Sequence, residues 1–210
     1  MNLDELRNAP FIGITGKAGS GKTLAATWFL RNHVQVVKFA FAKSLKTMVY
    51  ELIRESIPKT WPHKAGEYID DPILKETPIP FLANQTARHL MQTLGTEWGR
   101  QTIHSDFWVA IAASKIERTL ASGFKSGKNY SLLAMFDDVR FANEADMLRA
   151  YKGVILRIDR PGLDKPADIA AHPSENMDFA ADVTLVNDGT PEDLHAMLAE
   201  IWPPTIVKKA

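Results

Sequence analysis

The chain has 210 residues, 45% of them hydrophobic and 24% charged, a makeup that suits a globular protein able to bury one good core. Its 25 basic residues are matched by 25 acidic ones and it has no cysteine, which argues against a nucleic acid polymer as partner and excludes disulfides and thiolate metal sites, so any metal is expected on oxygen ligands. No apolar run approaches the roughly 18 residues of a membrane span, so no membrane association and a cytoplasmic location are expected.

In chain order, the apolar run Phe11 to Thr15 follows Pro10 and ends at a glycine cluster, which predicts a buried strand leaving a sheet. Leu24, Ala25, Trp28 and Phe29 then form one apolar stripe on a helix from Thr23 to about Arg31, and Val34 to Phe41 reads as a second strand. Leu45, Met48, Val49, Leu52 and Ile53 follow the period of an amphipathic helix that Pro58 stops. Residues 58–80 carry five prolines and little periodicity, the mark of either a structured loop over a site or a flexible connector. Thr86 to Gln101 looks helical but is interrupted by Gly95 and Gly99, and a further helix is expected from Ser105 or Asp106 as N-cap.

Ser122 to Asn129 is polar and reads as a loop, and Leu132 to Phe136 is an apolar run of strand length ended by two aspartates. Asn143 can cap a short helix to Tyr151; Val154 to Ile158 and Val183 to Val186 read as two more strands. The last helix has Thr190 as cap, Pro191 at its first position, and Leu194, Met197, Leu198 and Ile201 on one face. Strands alternating with helices imply a parallel α/β sheet in a single domain with inserted substrate elements.

Between the first strand and the first long helix, Gly16, Lys17, Ala18, Gly19, Ser20, Gly21, Lys22 and Thr23 fit G-x-x-x-x-G-K-[ST]. The glycines permit a tight loop whose N–H groups point at phosphate oxygens. Lys22 brings a charge to the β- and γ-phosphates, and the Thr23 hydroxyl can ligate magnesium. Lys17 reads as a solvated loop lysine, since the pattern does not require it. A carboxylate at the end of a neighbouring strand should also serve the metal. Asp137 and Asp138 both qualify, and alternation lets only one of them face the nucleotide.

Three further stretches carry a resemblance: Gln92-Thr93-Leu94-Gly95-Thr96-Glu97-Trp98-Gly99-Arg100, Asp138-Val139-Arg140-Phe141-Ala142-Asn143-Glu144-Ala145-Asp146, and Asn187-Asp188-Gly189-Thr190. With the phosphate loop they make most of the chain resemble the deoxynucleoside monophosphate kinases of tailed bacteriophages, relatives of adenylate kinase. The resemblance implies a P-loop three-layer sandwich, a five-stranded parallel sheet flanked by helices, with an acceptor-binding region over about residues 40–105 and a lid over about 159–179. It implies transfer of a phosphoryl group from ATP, with Mg2+, to a deoxynucleoside monophosphate, supplying nucleotides for DNA synthesis in a host cytoplasm, and it would allow a homodimer.

In that reading Gly16, Ala18, Gly19, Ser20, Gly21, Lys22, Thr23 and Arg157 bind ATP, and Thr23 and Asp138 serve magnesium. Lys22, Asp138, Arg140 and Arg160 act in the transfer, while Lys46, Arg88, Gln92 and Arg100 hold the acceptor. Lys46 sits in Phe41-Ala42-Lys43-Ser44-Leu45-Lys46, where the family usually reads Phe-Ala-Asp-Pro-Leu-Lys, so Lys43 and Ser44 depart from it. Arginine suits the task because its planar fork binds phosphate oxygens in pairs. Arg88 and Gln92, four apart, share a helix face, so a phosphate ligand and a base-reading amide would stand together. Trp98, Phe107 and Trp108 read as core, Glu144 and Asp146 as first-turn acids, and His172 as an ordinary loop residue beside Ser174 and Glu175. Two rival readings use the same scaffold: a kinase of another small acceptor, such as dephospho-coenzyme A, and an ATPase switch with no small acceptor.

Overall fold

The computed structural model of the chain describes residues 2–33, 36–121, 133–163 and 176–205. Five strands, β1 (Phe11–Thr15), β2 (Val36–Phe39), β3 (Leu133–Phe136), β4 (Val154–Asp159) and β5 (Val183–Val186), form one sheet in the order β2-β3-β1-β4-β5. Every pairing is parallel. The chain leaves central β1 for the edge strand β2 on one side, and later fills β4 and β5 on the other. The carboxyl end of β1 is therefore a switch point, where open α/β sheets bind their ligands.

The strands are burial-driven. Ile12, Ile14, Val154, Leu156 and Ile158 alternate onto one face and pack with Ala25, Trp28 and Phe29 of α2 (Lys22–Asn32) and with Leu194 and Leu198 of the C-terminal helix α8 (Pro191–Ile201). Alternation turns Gly13 and Ile155 to the other face, against Leu148 of α7 (Ala142–Ala150). A Cβ on Gly13 would lie 2.5 Å from the end of the Leu148 side chain, so glycine here lets α7 pack closely on the strand. The short N-terminal helix α1 (Leu3–Arg7) is tied to the end of the chain: Arg7 donates to the carbonyls of Glu200 and Ile201, and the indole of Trp202 donates to Leu6 O at 3.0 Å. Thr190 caps α8 reciprocally with Asp193, and Pro191 takes the first position.

By its contacts the chain forms two compact units, residues 1–40 with 112–210, and residues 41–111. The first contains the sheet. The second is helical, with α3 (Lys43–Ser56), α4 (Ala65–Asp70), a 3₁₀ turn (Leu74–Glu76), a second such turn (Pro80–Leu82) and α5 (Ala87–Gln92), and it takes in the start of α6 (Phe107–Ala121). Its core gathers Leu45, Val49 and Ile53 from α3 with Tyr68, Ile69, Ile79, Ala87 and Trp108. The proline-rich stretch is thus ordered, because Tyr68, Ile69 and Ile79 give it apolar anchors that periodicity alone does not reveal.

Two expected boundaries move. Among the described residues the second strand is only Val36–Phe39, since Phe41 turns into α3 as a buried anchor. The N-cap of α7 is Phe141 rather than Asn143: the Glu144 carboxylate reaches back to the N–H groups of Arg140 (2.7 Å) and Phe141 (3.2 Å), so the helix starts two residues earlier. The expected loop at residues 122–129 lies outside the described residues.

After α5 the helix widens through Thr93–Ile103, where His104 N–H bonds the Gly99 carbonyl and Thr102 Oγ1 donates to the Glu97 carbonyl, each five residues back. Trp108 explains the two glycines. Its indole N–H donates to Gly95 O at 2.8 Å, and its ring lies where a side chain at Gly99 would be, 2.5 Å from a Cβ built there. Phe107 packs edge to face on both Trp98 and Trp108, as core residues do.

Candidate active site

At the carboxyl end of β1 the backbone turns through Gly16 (φ 138°), Gly19 (φ 83°) and Gly21 (φ 110°), conformations that side-chain-bearing residues rarely adopt. At Gly16 space adds a second requirement, since a Cβ would collide with the Ile158 carbonyl. Gly21 is the N-cap of α2 and no side chain caps the helix, so its first amides keep the orientation that suits an anion. Lys17, Ala18, Gly19 and Thr23 are exposed around this bend, while Ser20 is fully buried.

Lys22 Nζ folds back over the loop, donating to the carbonyls of Gly16 (2.5 Å) and Lys17 (2.7 Å). Polyphosphate oxygens would offer it stronger, charge-assisted partners. A buried amide braces the loop from behind: Asn187, only 3% exposed, donates from Nδ2 to Ser20 O at 2.8 Å and fills the space beside Gly21. In the sequence Asn187 stands out only as the first residue of the Asn187-Asp188-Gly189-Thr190 stretch. Its position directly after the apolar strand β5, where a polar side chain must find a buried partner, was the available signal.

Beside the loop, Asp137 pairs with Lys38 of the adjacent strand β2 at 2.5 Å. Asp138, the next residue, is half-buried. Arg140 is set by Glu144, which is 2% exposed and accepts the Arg140 N–H, so Glu144 is more than a first-turn acid. Arg157 on β4 has a structural occupation: its guanidinium donates to the carbonyls of Met177 (3.0 Å) and Phe179 (2.6 Å) and lies over the Phe179 ring. Met177 in turn accepts through sulfur from the Thr15 hydroxyl at 3.2 Å, just before the loop begins. Arg160 is exposed beyond the end of β4, with no hydrogen bond or ion pair among the described residues. Of the expected lid, residues 164–175, with His172, Ser174 and Glu175, lie outside the described residues.

In the helical unit Arg88 is paired with Glu76, and Lys46 lies 3.8 Å from Asp70. Gln92 is half-buried one turn along α5 from Arg88, and Arg100 donates to the Ser105 carbonyl at 3.0 Å. The sequence reading overlooked Lys75, half-buried on the 3₁₀ turn beside Glu76. No helical period runs through it, so nothing in the local pattern marked it.

A family model described as deoxynucleotide monophosphate kinase matches residues 69–198. Over 196 residues the chain is 29% identical to a protein of Acanthamoeba polyphaga mimivirus named "Putative deoxynucleotide monophosphate kinase", with 89% of this chain and 93% of that protein covered. A crystal structure of TT1252 from Thermus thermophilus aligns with a TM-score of 0.43 at 18% identity, covering 90% of this chain and 96% of that one.

Proposed function

The chain belongs to the deoxynucleotide monophosphate kinase family, and from that premise we propose how its residues divide the work of moving a phosphoryl group from ATP to a deoxynucleoside monophosphate. An oxygen of the acceptor's phosphate attacks the γ-phosphorus, the bond to the β–γ bridging oxygen breaks, and ADP leaves. No covalent enzyme intermediate is needed. Catalysis of such a step is mostly positioning and neutralisation of charge.

The donor side is residues 16–23. The observation that carries this assignment is the bend itself: three glycines at positive φ leading into the uncapped start of α2, with Lys22 resting on carbonyls that a phosphate would outcompete. Magnesium, bound with ATP, would neutralise β- and γ-phosphate charge. Thr23, exposed on the first turn of α2, and Asp138 are its candidate oxygen donors. The Lys38 pairing of Asp137 favours Asp138 for that role. Arg140, with its backbone fixed by Glu144, and the exposed Arg160 would neutralise the transferring group. Arg157 would serve chiefly by anchoring Met177 and Phe179 beside the loop.

On the acceptor side, Arg88 and Lys46 would hold the monophosphate, with Gln92 on the base and Arg100 bracing the wide turn that follows α5. Exclusion of water from the two phosphates would let transfer outpace hydrolysis. The test is a coupled assay of ADP release across the common ribo- and deoxyribonucleoside monophosphates. The expected result is release that depends on an added deoxynucleoside monophosphate. Release that ignores every acceptor would indicate an ATPase instead.

A further inference from the structure

Four elements of the helical unit carry charged side chains that pair from one element to the next, Lys46 with Asp70 and Arg88 with Glu76. Lys46 comes from α3, Asp70 from the end of α4, Lys75 and Glu76 from the 3₁₀ turn, and Arg88 from α5. The turn is fixed in place: the Asp71 carboxylate accepts the N–H groups of Ile73 and Leu74 at 2.8 Å each, Lys75 N–H bonds the Asp71 carbonyl at 3.1 Å, and Leu74 packs into the same core as Leu90 of α5. Lys75 is therefore held on a rigid support.

Within the cluster the cations are treated unequally. Arg88 is matched by Glu76 and Lys46 by Asp70, whereas among the described residues no carboxylate lies within ion-pair distance of the Lys75 ammonium. Burial, followed by the positive charges of Arg88 and Lys46, holds that ammonium below the usual lysine range, against an opposing pull from Glu76 and Asp70. Like charges whose fields reach one another repel, and a dianion placed among them would relieve the repulsion.

The geometry points to Lys46, Lys75 and Arg88 as one seat for the acceptor's phosphate, with Lys75 as a direct ligand and Glu76 as the counter-ion that the phosphate displaces from Arg88. This rests on the kinase reading above and names a residue that reading did not include. A nucleoside monophosphate fits the seat because its terminal phosphate is a compact dianion with three oxygens to share among three cations.

The test compares wild type with Lys75→Met, which keeps the stem and removes the charge, and Lys75→Arg, which restores it. Each is measured by calorimetric titration with the four deoxynucleoside monophosphates and by steady-state kinetics, with thermal melts to check folding. Lys75→Met should weaken monophosphate binding and raise the acceptor KM about tenfold or more, leave the ATP KM within about twofold, and be largely rescued by arginine. Monophosphate binding by Lys75→Met at wild-type strength would overturn the inference. If the wild type instead binds monophosphates but releases no ADP in response to them, the kinase assignment fails on its own, and the titrations still decide the role of Lys75.

Discussion

In the proposed division of labour, the loop at residues 16–23 and the cluster of Lys46, Lys75 and Arg88 would offer positive potential to a phosphate by different means. In the loop it comes from backbone: glycines at positive φ, the uncapped start of α2, and a buried Asn187 amide that fixes the Ser20 carbonyl. In the cluster it comes from long side chains on separate elements, two of them restrained by acids. A backbone cradle is costly to reshape, because each part is tied into the fold, whereas a side-chain cluster can be retuned one residue at a time. The first suits a donor that never changes, the second an acceptor whose identity sets specificity.

The contrast can be broken by substitution, beginning with the donor side. Lys22→Ala should lower kcat by about 10³-fold while thermal melting stays near that of the wild type; unchanged turnover would remove the loop from the reaction. Chelation of magnesium with EDTA should suppress turnover by a comparable factor, and added magnesium should restore it. Arg88→Ala should raise the acceptor KM about tenfold with the ATP KM unmoved, and equal effects on both would erase the distinction between the regions.

Asn187→Ala should do the reverse on a smaller scale, raising the ATP KM several-fold and lowering stability by about 1–3 kcal/mol in denaturant melts, since it strands the Ser20 carbonyl. Smallest is Glu76→Gln, which should improve acceptor affinity by about two- to threefold, because a half-exposed ion pair is worth little. A weaker acceptor affinity would show that Glu76 orients Arg88 rather than competing for it.

The same contrast explains what could be read from the chain alone. The glycine bend between β1 and α2 was legible because backbone constraints are written into residue types at fixed spacing: Gly16, Gly21, Lys22 and Thr23 leave a signature that few other structures need. Strands β1 and β5 and helix α8 were legible for a similar reason, as apolar runs or stripes with clear stops and caps. Lys75 was not, since its neighbours Lys46 and Arg88 lie far from it in sequence and only the packing of Tyr68, Ile69 and Leu74 brings them together. Glu144 was visible as a helix-start acid, but only its burial reveals that it organises the backbone at Arg140. Arg157 shows the reverse: the resemblance gives it to ATP, and only the folded chain reveals that its guanidinium also holds the carbonyls of Met177 and Phe179.

The division of labour is tested most directly by a crystal structure with a bisubstrate analogue that links adenosine to a deoxynucleoside through a polyphosphate. The account predicts donor phosphates within hydrogen-bonding distance of the amides of residues 16–23, and the acceptor phosphate in contact with Arg88 and Lys75. A loop left vacant, or an acceptor phosphate bound away from that cluster, would contradict it.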